Sequence, residues 1–162
     1  MCLSGVVGRA LLRRLGASRC LNSDLPKSTE AATAEFTLIP GTPGGVQLKV
    51  TLTGCDVDYN YPIHIHDGNA CTDASTQLGH WGVGTTGAGD GIALIPCVAG
   101  ATPTDPPVGT LTYQRLNDNA MNGRWTINGD AATNILNHVL VVHSPYPGKE
   151  LDRVACGVIT AQ

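Results

Sequence analysis

The sequence predicts an all-β domain, an eight-stranded antiparallel Greek-key sandwich or barrel. Three observations carry this. Turn formers are frequent, with 20 Gly and 10 Pro in 162 residues. Charged residues make up only 14% of the chain, while Thr and Val are common, a balance that favours strands over solvent-facing helices. Short apolar or alternating runs follow one another between clusters of turn residues, with no internal repeat.

The strands are expected in this order. Glu35–Ile39 and Val46–Thr53 flank a Pro-Gly-Thr-Pro-Gly-Gly turn, a strong hairpin signal. Val46, Leu48, Val50 and Leu52 alternate, so they share one face. Tyr61–His66 is the third run. Residues 67–90 are rich in Gly, Thr, Asn and Asp and read as one oversized loop, which makes them suspect as a functional segment. Ile92–Pro96 is a short apolar strand, and residues 98–108 are Pro-rich and irregular. Gly109–Arg115 and Gly123–Asn128 bracket an Asn-Asp-Asn turn, and His138–His143 and Val154–Thr160 complete the set. Eight short strands with one long loop match a Greek-key sandwich or barrel. The one helix candidate, Ala131–Asn137, is short.

The chain divides at residues 34 and 35. Met1–Ser23 contains no acid and four arginines, Arg9, Arg13, Arg14 and Arg19. Residues 1–34 are therefore expected to be a leader and linker, removed or disordered, with the folded domain at 35–162. Arginines interrupt the apolar stretches of the leader, which suits an organellar transit peptide better than a secretory signal. Setting those four arginines aside leaves six basic residues against thirteen acidic ones, so the domain is acidic. No basic run lies beyond the leader and no apolar stretch reaches membrane-spanning length. Neither nucleic acid nor a membrane span is expected. The chain carries no signal for an oligomeric state.

The chemistry-bearing residues are histidines and cysteines. His64 and His66 are two apart, so on a strand their imidazoles lie on one face, within reach of one metal ion. His80 lies in the long loop and His143 ends the most hydrophobic strand. Four imidazoles from two strands and a loop suit copper or zinc. His138, five residues before His143, faces the other way and reads as surface. Four cysteines outside the leader, Cys55, Cys71, Cys97 and Cys156, have no close C-x-x-C spacing. They suggest two disulfides and an oxidising, extracytoplasmic compartment, with buried free thiols as the alternative.

His64-Ile-His66, then Cys71, Gly79-His80-Trp81, Leu140-Val-Val-His143 and Arg153-Val-Ala-Cys-Gly-Val-Ile159 together resemble the copper/zinc superoxide dismutase family in its usual order. The step from His66 to Cys71 is similar to the bacterial secreted branch. The resemblance covers roughly residues 35–162, and the closing R-x-A-C-G-V-I with L-V-V-H is its most specific part. It implies that His64, His66, His80 and His143 are copper ligands and that Cys71 and Cys156 form a disulfide, worth about 4–5 kcal/mol in the chain-entropy model. It also implies that Arg153 attracts and orients superoxide beside the metal. A second disulfide between Cys55 and Cys97, outside the family pattern, would brace both ends of the metal region. Four cysteines leave three pairings open.

Two departures narrow the resemblance. Residues 81–137 contain no histidine, so the family's zinc site lacks its ligands and zinc is not expected. Asp90 falls where the zinc Asp would be; it either orients His80 or another ligand by hydrogen bonding, or is only a turn residue. Only nine residues, Ser144–Asp152, separate His143 from Arg153, where the family carries a long charged loop. Both losses resemble the copper-only branch, with a shallower, more open site. The expected activity is that of an antioxidant copper enzyme, 2 O₂⁻ + 2 H⁺ → O₂ + H₂O₂, in which His80 leaves the metal on reduction and takes a proton from solvent. The alternative is a non-catalytic copper-binding or structural domain. A zinc hydrolase is disfavoured, because four imidazoles leave no open position on a tetrahedral ion.

Overall fold

The computed structural model describes residues 8–10, 13–14, 31–42, 45–81, 93–115, 125, 127, 134–150 and 152–161. Among these the regular secondary structure is almost entirely antiparallel sheet. The strands are β1 (Gly8–Ala10), β2 (Arg13–Arg14), β3 (Ala31–Leu38), β4 (Val46–Thr53), β5 (Asn60–His66), β6 (Ala93–Val98), β7 (Val108–Arg115), β8 (Val139–His143), β9 (Arg153–Val158) and β10 (Thr160–Ala161). A single four-residue helix, α1 (Ala74–Gln77), sits in the long loop.

The strand order is β10-β1-β3-β4-β7-β6-β5-β8-β9-β2. β4 pairs with β7 and β5 with β8, the crossovers of a Greek key. Both ends of this order involve the same two stretches of chain. Gly8 pairs with Ala161 and Arg14 with Ala155, in one common register. β1 also pairs with β3, so the N-terminal stretch lies between β3 and the last strand and curls the sheet into a barrel.

Most expected strands lie where the patterning put them, with two corrections. β3 begins at Ala31, four residues before the expected start, so the domain boundary at 35 falls inside a strand. The small residues before Glu35, Ala31, Ala32, Thr33 and Ala34, gave no strand signal; pairing with β4 decides their conformation. The strand expected at Gly123–Asn128 lies outside the described residues except for Trp125 and Ile127, both buried. The described part of the helix candidate Ala131–Asn137 is bridge and turn. The helix forms instead at α1, because Asp73 caps it: its carboxylate accepts from Ser75 N and Thr76 N, and Thr76 returns the capping-box bond.

Alternation sets the core. Val46, Leu48, Val50 and Leu52 of β4 are all buried, packed with Phe36, Ile63, Ile65, Ile95, Leu140 and Val142. The outward residues of β5 are Pro62, His64 and His66. β8 is buried on both faces. Leu140 and Val142 point into the barrel, whereas Val139 and Val141 pack outside it with Cys156, Cys71 and Val158. The long loop therefore docks on the outer face of β8 and β9, over an apolar seam of its own.

Candidate metal centre

The histidines reach the same place from three directions. β5 carries His64 and His66 on its outer face. β8 carries His143 at its end, just beyond a register shift between Val142 and His143. Such a bulge re-aims the side chain that follows it; here it sets His143 opposite Arg153 on β9. The loop supplies His80, which forms an isolated bridge with His66.

The donor nitrogens of His64, His80 and His143 all lie within 4.8 Å of one another. The rings of His64 and His80 stack with centroids 3.9 Å apart. His66 joins through a different contact: its Nε2 lies 3.1 Å from Nε2 of His143. Nδ1 of His66 donates to the Leu78 carbonyl at 2.9 Å, which fixes the tautomer and leaves Nε2 with its lone pair toward the cluster. His64, His66 and His143 are buried, at 7%, 1% and 4% exposure, while His80 is exposed. The site is thus enclosed on three sides and open at His80.

Burial holds His66 at a pKa of about 4; the bond to Leu78 opposes this, and the charges of Arg153, His80 and His64 add to it. Burial also takes His143 down to about 3, helped by the neighbouring histidines and Arg153. Both imidazoles are neutral at pH 7, with lone pairs available. Nδ1 of His143 is buried without a hydrogen-bond partner among the described residues. Crowded neutral imidazoles of this kind fit a cation: a proton on Nε2 of His143 satisfies the contact with His66, and a metal ion replaces it. An all-nitrogen donor set suits copper or zinc.

The loop is fixed by main-chain bonds. Asp67 N donates to Gly79 O and Gly68 N to Gln77 O, each at 3.0 Å, and Trp81 N donates to Ile65 O at 2.8 Å. A Cβ on Gly68 would meet the Thr76 carbonyl at 2.1 Å, so only glycine allows this approach. Leu78 has φ 58° and ψ −158°, a strained conformation that costs a non-glycine residue on the order of 1–3 kcal/mol. Its carbonyl accepts from both His66 Nδ1 and Arg153 Nη2. The Cys71–Cys156 disulfide staples the loop to β9, with Cα atoms 5.8 Å apart, and Cys55–Cys97 ties the approach to β5 to β6, at 6.1 Å.

No family model matches the chain, and no curated protein matches it by sequence. Solved structures do match it. Superoxide dismutase 5 of Candida albicans in its Cu(II) form is 18% identical, with a TM-score of 0.60 over 98% of this chain and 94% of that one. A mutant of the same Candida enzyme gives 18%, a TM-score of 0.59 and coverage of 98% and 91%. The clock protein EA4 gives 16%, a TM-score of 0.58 and coverage of 99% and 97%. The fold is therefore that of the copper/zinc superoxide dismutases.

Some expected site residues lie elsewhere or were missed. Asp90 falls outside the described residues. His138 is not a surface residue: it is half-buried, its ring 5.0 Å from that of Trp81. It precedes β8, so strand alternation did not apply to it. Gln77, the Leu78 carbonyl and the Asp56–Tyr146 contact carried no sequence signal. Tyr146 donates to Asp56 and packs edge-on to Tyr59, holding the short connection after His143 against the start of β5. Burial and that bond push the Tyr146 hydroxyl pKa up.

Proposed function

We propose that the chain is a copper-dependent superoxide dismutase of the copper-only kind, with His64, His66, His80 and His143 as ligands and no zinc site. The observation that carries this reading is the histidine cluster with Arg153 directly across from His143. Bound copper would supply the one-electron couple that turns two superoxide ions and two protons into O₂ and H₂O₂. The residues supply the rest. Leu78 orients His66, burial keeps His66 and His143 unprotonated, and the guanidinium of Arg153 draws in a small anion. His80 is exposed, so a proton reaches its ring from solvent. Two disulfides favour an extracytoplasmic location, with an organellar one as the alternative.

The test is metal content beside activity. Apo-protein incubated with copper and zinc together, then dialysed, should hold one copper and no specific zinc, and the copper form should suppress cytochrome c reduction by xanthine oxidase. Copper uptake without that suppression would leave a non-catalytic copper-binding domain.

A further inference from the structure

Among the described residues Arg153 is held by three acceptors, and none carries a charge. Nη1 donates to the Ala74 carbonyl and to Oε1 of Gln77, each at 2.8 Å, and Nη2 donates to the Leu78 carbonyl at 2.8 Å. Gln77 is the only side chain among the three. It closes α1, is 1% exposed, and its main-chain carbonyl is itself pinned by Gly68 N at 3.0 Å. A buried amide costs free energy unless it is paired, and Arg153 provides that pairing.

The choice of an amide is informative. A carboxylate is the strongest partner for a guanidinium, often bidentate. It would hold Arg153 equally well and cancel its charge. Gln77 offers the same acceptor atom at the same reach without an opposing charge. We propose that Gln77 is a positioning residue that fixes the Arg153 guanidinium beside the histidine cluster while leaving its positive charge uncompensated, which selects small monovalent anions. This rests on the copper site of the dismutase reading and not on turnover, so the probe is azide, an anion that binds without turnover.

The experiment compares Gln77→Glu, Gln77→Leu and wild-type protein, all copper-loaded and matched for copper content. Azide affinity is read from the charge-transfer absorption of the azide complex. Gln77→Glu keeps the hydrogen bond, so a purely structural role predicts wild-type affinity. The proposal predicts weakening of about tenfold and a flatter dependence on ionic strength. Gln77→Leu should weaken azide about threefold, and that effect should vanish in an Arg153→Met background, because Gln77 acts through Arg153. In metal-free protein, the Arg153 side-chain NH signals should sharpen to freely rotating averages in Gln77→Leu but not in Gln77→Glu. If the leucine variant does not fold, Gln77→Met replaces it. Wild-type azide affinity in Gln77→Glu overturns the proposal, as does a Gln77→Leu effect that persists without Arg153. Absence of dismutase activity in wild type, with the azide pattern intact, would defeat the dismutase reading and leave this one standing.

Discussion

The two disulfides hold two different kinds of structure. Cys55–Cys97 spans 42 positions and links chain that the sheet already joins: β5 pairs with β6, and Cys97 N donates to Tyr59 O at 3.0 Å. Cys71–Cys156 spans 85 positions and links a loop to a strand with which, among the described residues, it forms no ladder. The chain-entropy model gives about 4 kcal/mol for the first and about 4.5 kcal/mol for the second. Stability alone therefore hardly separates them. Their difference lies in what is released when each is cut: a strand that stays paired, or the loop that carries His80 and the acceptors of Arg153.

Cutting each bridge gives the largest expected effect. Cys71→Ser should cost about 4.5 kcal/mol in urea unfolding and should also lower copper affinity by more than tenfold, read by competition with a chelator. Cys55→Ser should cost about 4 kcal/mol and leave copper affinity within about twofold, since the β5–β6 ladder persists. Equal losses of copper in the two variants would erase the distinction.

Acid attacks the site without touching either bridge. The folded pKa values of His66 and His143, about 4 and about 3, lie below the ordinary 6.5. The unfolded chain thus takes up protons first. Metal-free protein should be fully stable above about pH 6.5 and lose stability progressively below it, the His66 share being gone once pH has fallen through 4 and the His143 share once it has fallen through 3. His66 alone contributes roughly 3 kcal/mol, at about 1.4 kcal/mol per unit. Urea midpoints between pH 7.5 and 4 measure this, and His66→Gln should flatten the upper part of the curve. An unchanged slope would mean that His66 is not buried as a neutral group.

Arg153→Glu probes the docked loop more gently. The second-order rate with superoxide should fall by about tenfold or more while copper content stays level, because the charge acts on the incoming anion. The wild-type rate should fall with added salt, within screening of about 8–10 Å. Parallel loss of copper would make Arg153 a structural tie instead. The smallest effect belongs to the short N-terminal strands, which flank β3 and β9. A chain starting at Ala31 should bind one copper as before and lose on the order of 1 kcal/mol, since β1 and β2 add only short ladders. Mass spectrometry of the protein purified from its own cells would show whether residues 1–30 are retained.

What the sequence revealed and what it hid follow the same division. Val46, Leu48, Val50 and Leu52 show their face because strand alternation is local, and His64 with His66 show theirs for the same reason. The pairing of Arg13 with Cys156 was hidden behind an arginine-rich composition that reads as a leader. Gln77 meets Arg153 across 76 positions and Tyr146 meets Asp56 across 90. No spacing rule reaches that far, and a buried glutamine looks the same in a string of letters as an exposed one.

The Leu78 carbonyl serves two masters, a histidine and an arginine, yet the Leu78 side chain is 52% exposed and touches neither duty. Every amino acid brings the same carbonyl. Evolution is therefore free to change the letter at position 78 while keeping the atom that works. In a comparison of related sequences this position would look idle, and the constraint would surface at Gly68, whose close backbone approach to Thr76 and Gln77 aims the peptide. Glycine at 78 should even relieve the positive φ, so drift there runs toward a residue that erases every visible trace of the role.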